Sequence, residues 1–355
     1  MSSFLDSRLE ALEAYVPGEQ PDDREYIKLN ANESPYPPSP GVLRAVSALA
    51  GRMNLYPDAA CRGLKAALAR RYGVGPENVM VTAGSDDILN FCFLGLCRHG
   101  VAYPAVSYGF YEVFSQLHGV DRREIPMGPG LTIDIAAWEG LGRTVVLANP
   151  NAQTGIALPL ADIERIVAAN AGELVVVDEA YVDFGAESAA KLLGKYENLL
   201  VVRTFSKSRS LAGARLGFAL GEAGLIADLE RIKYSTNPYS VSMLSLAAGE
   251  AALAEDSYYA EKCAIIAEER EKLKLELEKL GFSSTPSMAN FLLSRPPEGV
   301  GAEELFLELR RRGILLRYFA GGALADYLRI TVGSPEQNEA LLRELRGALE
   351  GGKRT

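Results

Sequence analysis

Three short runs, Thr144-Val-Val-Leu-Ala148, Leu174-Val-Val-Val-Asp178 and Leu199-Leu-Val-Val-Arg203, constrain most strongly what this chain can fold into. Each is continuously apolar and rich in β-branched residues, without the apolar–polar alternation of a sheet that has one wet face. Such runs are expected in a largely parallel sheet covered by helices on both faces. A helix predicted over 160–169 lies between the first two, so strands and helices alternate and the fold class is α/β.

The alternation extends upstream. Helices are predicted over 61–72, 85–97 and 107–117, with strands at 78–83, 101–103 and 122–126. Ser85, Asp86 and Asp87 are residue types that open helices. The proline-rich run Ser34-Pro-Tyr-Pro-Pro-Ser-Pro40 reads as an extended arm. After about Asn237 the pattern changes to long helices at 241–253 and 258–280. Strands at 289–294, 314–317 and 328–332 follow, with helices at 302–312 and 335–349. That is an α+β arrangement, and the charge run at 268–279 reads as a solvated face. The expected division is an arm that joins the small domain (1–40), a large domain with the mostly parallel central sheet between helices (41–240), and a smaller α+β domain (241–355).

A chain of 355 residues buries roughly three-quarters of its unfolded surface, enough for one large domain or two. The net charge of -9 argues against nucleic acid or an anionic membrane as the main partner. Anions must instead be bound by local arginines, lysines and backbone N–H groups. Cys61, Cys92, Cys97 and Cys263 form no Cys-x-x-Cys pair and are expected to be reduced core residues of a cytosolic protein. With His99 and His118 the only histidines, a histidine metal site is not expected. No apolar leader follows Met1, no run approaches the ~18 residues that span a bilayer, and the cytoplasm is the expected location. Residues 347–353 match Gly-x4-Gly-Lys, but Arg354 stands where a phosphate loop needs Ser or Thr, and no strand precedes the match. It reads as chance.

In α/β sheets ligands gather beyond the C-terminal ends of the strands, and several candidates fall there. Lys207 emerges from the apolar strand at 199–203 into a polar turn, with Arg215 and Gly217 following. A primary amine near an anion-binding arginine suits a Schiff-base lysine holding a phosphorylated aldehyde; alone, a Ser-Lys dipeptide is also an ordinary exposed turn. Gly84, Ser85 and Asp86 follow a strand and open a helix, so their N–H groups can hold a phosphate or merely cap that helix. Asn151 lies in Asn149-Pro-Asn-Ala-Gln-Thr-Gly155, which also reads as a plain turn. Asp178 ends its strand and could cap a loop, or pair with a protonated ring nitrogen and favour the cation. Tyr108, between Ser107 and Gly109, suits either the core or stacking on a flat ring. Arg215 offers a planar fork for phosphate.

Along the chain the candidates run phosphate turn, aromatic, asparagine, aspartate, lysine, arginine. In that order the chain resembles the fold-type I pyridoxal-phosphate aminotransferases over nearly its whole length. It is most similar to their histidinol-phosphate branch. Tyr15-Val-Pro-Gly-Glu19 and Leu29-Asn-Ala-Asn-Glu-Ser-Pro35 resemble that branch's opening motifs, and Leu328-Arg-Ile-Thr-Val-Gly333 its closing one. The resemblance implies pyridoxal 5'-phosphate as cofactor, joined to Lys207, with Asp178 on its pyridine nitrogen and Asn151 and Tyr181 on its ring oxygen. Its phosphate would fall to Gly84, Ser85, Asp86, Thr204, Ser206 and Arg215, with Tyr108 against the ring. Tyr56 would reach the neighbouring subunit's site, which makes the protein a homodimer. Tyr15, Asn32, Arg317 and Arg329 would bind substrate. The implied reaction moves an amino group from histidinol phosphate to 2-oxoglutarate. An aromatic or other amino-acid aminotransferase, or a phosphothreonine-type decarboxylase, shares the frame. Where the family commonly has Asn-Pro, this chain has Ala152-Gln153, and the 318–324 loop also departs from the usual one.

Overall fold

The computed structural model describes residues 4–351, so Lys353 and Arg354 of the loop-like match lie outside the described residues. After a single 3-10 turn at Ser7–Leu9, the first strand is the short β1 (Ile27–Lys28), followed by α1 (Pro40–Leu49). The proline cluster expected to be only an extended arm therefore starts a helix. Pro40 occupies its first turn after Ser39, where a missing N–H costs nothing and a fixed φ already suits the helix.

Next come α2 (Arg62–Tyr72), β2 (Val79–Thr82), α3 (Ser85–Gly95), β3 (Val101–Pro104), α4 (Phe110–His118) and β4 (Arg122–Ile125). β5 (Thr144–Ala148), α5 (Leu160–Ala169), β6 (Val175–Asp178) and β7 (Leu199–Thr204) complete the expected alternation. Two elements carry little signal in the sequence: β8 (Gly217–Gly221), bracketed by glycines, and α6 (Ala223–Thr236). The Glu222 carboxylate caps α6, accepting from the Gly224 and Leu225 N–H groups at 2.6 and 3.2 Å.

The seven strands lie in the order β2-β8-β7-β6-β5-β3-β4. All run parallel except β8, which is antiparallel to both neighbours. Strands β5, β6 and β7 are buried along their whole length. Alternate side chains enter two cores: Val145, Val175 and Val201 pack with Ile163 and Ile166 of α5 on one face. Val146, Val176 and Val202 pack with Ile88 of α3 and Phe114 of α4 on the other. The single reversed strand has a consequence for the site. β8 starts at the sheet edge where β2, β5, β6 and β7 end, with Gly217 paired to both Thr82 and Thr204. The Arg215 loop is thus delivered beside the other strand ends.

α7 (Met243–Ala254) and α8 (Asp256–Lys279) lead into a second sheet. It comprises β9 (Ser283–Ser284), β10 (Phe291–Arg295), β12 (Arg317–Tyr318) and β13 (Leu328–Thr331), all antiparallel. Helices α9 (Ala302–Arg311) and α10 (Pro335–Gly351) pack on it through Leu305, Leu309, Leu341 and Leu345. β11 (Ile314–Leu315) pairs in parallel with β1 as a separate two-stranded sheet, and the Thr331 N–H donates to the Leu29 carbonyl at 2.9 Å, tying the N-terminal segment to β13. The charge run of α8 is not wholly solvated. Glu269 and Arg270 are buried, and Arg270 Nη1 donates to the Phe184 and Ala289 carbonyls at 3.0 and 2.9 Å. Among the described residues no helix is long and apolar enough to cross a membrane.

Candidate active site

Beyond the strand ends lies a cavity of about 260 Å³. Twelve of the expected site residues line it: Tyr15, Ser85, Asp86, Tyr108, Asp178, Tyr181, Thr204, Ser206, Lys207, Arg215, Arg317 and Arg329.

The floor is a buried carboxylate. Asp178 ends β6, accepts from the Tyr111 hydroxyl at 2.9 Å and from the Ala180 N–H at 3.2 Å, and has no ion-pair partner among the described residues. Burial pushes its pKa up to about 6, against the lowering effect of those two bonds. Tyr111 did not stand out in the sequence. In an amphipathic helix an aromatic residue reads as core, and only the fold turns its hydroxyl onto Asp178.

Lys207 lines the same cavity. Its Nζ donates to the Ala31 carbonyl at 3.0 Å. Burial, then the charge of Arg329, lowers its pKa to about 8, so the neutral amine is a minority at pH 7 and reaches half at about pH 8. Its loop is pinned from behind, since the Ser208 hydroxyl donates to Asp183, which also pairs with Arg203. Tyr181 stands beside the amine, and its hydroxyl accepts from Asn32 Nδ2 at 3.0 Å. Asn32 is therefore one step behind the cavity wall, held in turn by Thr331.

The third feature is an anion cradle. Ser85 opens α3, and the Thr204 hydroxyl donates to Ser206 Oγ at 2.9 Å. Arg215 Nη2 reaches Asp86 at 3.1 Å, and the Tyr108 hydroxyl donates to the same carboxylate at 3.0 Å. Burial, then Asp86, raises the Tyr108 pKa and keeps the phenol neutral. Gly84 has φ +94°, and a Cβ there would stand 2.6 Å from Arg215 Nη2. A Cβ on Gly217 would stand 2.4 Å from the Ser85 nitrogen. A side chain is disfavoured at Gly84 by its positive φ and at Gly217 by the backbone of Gly84 and Ser85 against it.

Two arginines complete the wall. Arg317 is held by the carbonyls of Val16 and Pro17. Arg329 donates Nη1 to the Ala152 carbonyl and to Gln153 Oε1, both at 3.0 Å, while its buried Nε has no hydrogen-bond partner.

Two expected residues lie elsewhere. Asn151 turns away from the cavity: its Nδ2 donates to the Val106 carbonyl, and its Oδ1 accepts from the N–H groups of Gln153 and Thr154. With the amide oxygen bound within its own turn and the nitrogen on Val106 after β3, Asn151 does not line the cavity, whereas Ala152 and Gln153 do. Tyr56 is 80% exposed and stacks on Tyr239 at 4.6 Å, outside this chain's cavity.

The residues fit the cofactor that the resemblance implies. A buried carboxylate without a counter-ion suits a pyridinium. An amine whose pKa burial has lowered suits an aldehyde. Helix N–H groups, two hydroxyls and an arginine fork suit a phosphate monoester.

A family model described as aminotransferase class I and II matches residues 24–345. Histidinol-phosphate aminotransferase of Brachyspira hyodysenteriae is 43% identical over 350 residues, covering 98% of this chain and 99% of that protein. The protein of the same name from a Marinomonas species is 46% identical over 352 residues, covering 98% and 99%. Among solved structures, histidinol-phosphate aminotransferase from Sinorhizobium meliloti in complex with pyridoxal-5'-phosphate has a TM-score of 0.86 at 25% identity, covering 98% of this chain and 99% of that one. L-threonine-O-3-phosphate decarboxylase from Porphyromonas gingivalis has a TM-score of 0.79 at 21% identity, covering 91% and 99%, a likeness of fold alone.

Proposed function

From the premise that this chain belongs to the class I and II aminotransferase family, we infer that it transfers the amino group of histidinol phosphate to 2-oxoglutarate with pyridoxal 5'-phosphate as cofactor. The observation that carries the reading is the meeting, in one cavity, of the Lys207 amine, the uncompensated Asp178 carboxylate and the Arg215 cradle. The choice of histidinol phosphate is supported by relatives of that activity at 43% and 46% identity. It is further supported by two more arginines, Arg317 and Arg329, on the same cavity.

The cradle of Ser85, Thr204, Ser206 and Arg215 would hold the cofactor phosphate, Asp178 the ring nitrogen, and Tyr181 the ring oxygen, with Tyr108 against the ring. When bound, the cofactor supplies an aldehyde that takes up the amino group and a cationic ring that accepts the electron pair of the donor's α C–H bond. Asp178 favours the ring proton because an ionised carboxylate at close range stabilises a cation. Tyr111 keeps that carboxylate oriented. Lys207 Nζ, neutral, takes the proton from the donor's α-carbon and returns it on the other side of the transferring nitrogen, acting as base and then as acid. Arg317 and Arg329 face the anions of both substrates. A guanidinium fork fits phosphate and carboxylate alike, so one pair can serve both half-reactions.

The half-reaction tests this. Holoenzyme mixed with histidinol phosphate alone is expected to convert to the amine form, and added 2-oxoglutarate to restore the aldehyde absorbance. Phenylalanine should react at least about a hundredfold less efficiently, the discrimination expected of a site built to hold a phosphate. Release of CO2 from threonine phosphate without amine-form accumulation would make the protein a decarboxylase instead.

The reading carries with it a cytoplasmic homodimer. Tyr56 lies with Met53, Leu55 and Tyr239 in a patch where all four side chains are exposed, the kind of surface that a second copy covers. Tyr56 would then contact the cofactor phosphate of the partner. Sedimentation is expected to give a dimer at assay concentrations, and Tyr56→Ala to weaken cofactor binding without changing the monomer's fold. An active monomer would remove Tyr56 from the site.

A further inference from the structure

Among the described residues, the strongest feature outside the assigned roles is the side chain of Gln153. The turn that carries it is fixed by Asn151, whose Oδ1 accepts from the Gln153 N–H at 2.9 Å. From there the amide reaches both ways: Nε2 donates to the Ser107 carbonyl at 3.1 Å, and Oε1 accepts from Arg329 Nη1 at 3.0 Å. Its polarity is therefore oriented, oxygen towards the arginine. The Arg329 guanidinium lies 5.2 Å from the Phe291 ring centroid and 5.5 Å from that of Phe319. The rings restrict its tilt, and Gln153 together with the Ala152 carbonyl fixes its rotation within the plane. Both hydrogens on Nη1 are used by the protein. The Nε edge keeps its donor, buried and without a partner.

We propose that Gln153 is a positioning residue for the substrate anion: it holds Arg329 so that the Nε edge is presented to a carboxylate or phosphate, and it does so without charge. Neutrality is the essential part. A carboxylate in the same place would be an internal counter-ion, competing with the substrate for the guanidinium. The inference rests on the reading of Arg329 as an anion site given above.

Succinate, a dicarboxylate with no carbonyl to react, is the probe, titrated calorimetrically into holoenzyme whose cofactor content is measured by absorbance. Gln153→Ala is expected to weaken succinate about tenfold, and Gln153→Glu about a hundredfold, with cofactor content unchanged in both; these are the sizes of one and two charged hydrogen bonds. Gln153→Glu should also raise the KM for 2-oxoglutarate far more than it lowers kcat. The ordering decides between explanations. Glutamate is the isostere, so if Gln153 served only packing, Gln153→Glu would bind succinate like the wild type and Gln153→Ala would be the worse variant. That ordering would overturn the proposal. Arg329→Ala separates the two levels. If it retains succinate affinity, the anion site itself is misplaced; if it loses affinity while Gln153→Glu does not, only the role of Gln153 falls. A wild-type holoenzyme that does not bind succinate would refute both.

Discussion

Lys207→Ala is expected to abolish the borohydride-reducible linkage between protein and cofactor and to lower turnover by at least about 10²–10⁴, the usual contribution of a positioned acid–base group. The fold should survive. Lys207 Nζ makes one hydrogen bond to a backbone carbonyl, and removing a buried amine whose pKa is already lowered relieves a desolvation cost. The wild-type apoprotein supplies a second observable. Only the neutral amine reacts with an aldehyde, and this one titrates at about 8. The rate of cofactor uptake is therefore expected to rise about tenfold per pH unit from pH 6, bending over near pH 8 and levelling above it. Absorbance stopped-flow reads this directly. A reducible linkage that persists in Lys207→Ala, or an uptake rate flat across that range, would place the reacting amine elsewhere.

The second large effect concerns Asp178. Its folded pKa of about 6 lies above the 3.8 of a free carboxyl. The protonated form is thus the one that folding favours without cofactor. Its contribution to apoprotein stability is fully present below about pH 4 and is lost as pH rises through 6, on the order of 3 kcal/mol at about 1.4 kcal/mol per pH unit of displacement. Asp178→Asn removes the titrating group while remaining able to accept from Tyr111. The apo variant should therefore lose less stability between pH 4 and 7 than the wild type. In the holoprotein the same substitution removes the counter-ion of a buried cation, which typically costs about 3–5 kcal/mol. Cofactor affinity should fall by about 10²–10⁴, with turnover falling as well. Thermal unfolding of apo and holo forms across pH 4–8 reads both signs. A variant less stable than wild type as apoprotein at pH 7, with unchanged cofactor affinity, would make Asp178 a purely structural residue.

The parts legible in the sequence are those whose residue types leave little choice. Continuous β-branched runs require a sheet buried on both faces, and β5, β6 and β7 lie there along their whole length. Ser85, Asp86, Tyr108, Asp178, Ser206 and Lys207 sit at or shortly after strand ends, where the parallel order itself places them, whereas Tyr15, Arg317 and Arg329 were reached only through the family resemblance. Three things were hidden for separate reasons. β8 is bracketed by Gly217 and Gly221, which locally read as turns; the glycine at 217 is required by the close approach of Ser85 rather than by a turn. α1 was masked because a proline that opens a helix and one that prevents it look alike without the rest of the fold. The third is the orientation of Asn151. Its residue type permits a cavity role, but an Asx-type turn offers its amide nearer partners, and the two following side chains take the wall position.

β1 is only two residues long, yet together with the bonds from Thr331 and Asn290 it sets the alignment of the segment behind the cavity. Its pairing with β11 fixes where the next residues fall, and those residues are the acceptor of the Lys207 amine and the amide behind the Tyr181 phenol. A slip of one residue along β11 would carry both about 3.3 Å, more than the length of either hydrogen bond, and would invert which side chains face inward. This two-stranded pairing thus acts as a vernier for the seven-stranded sheet, and a change that loosens its two rungs would misalign the chemistry from a distance without touching any group that performs it.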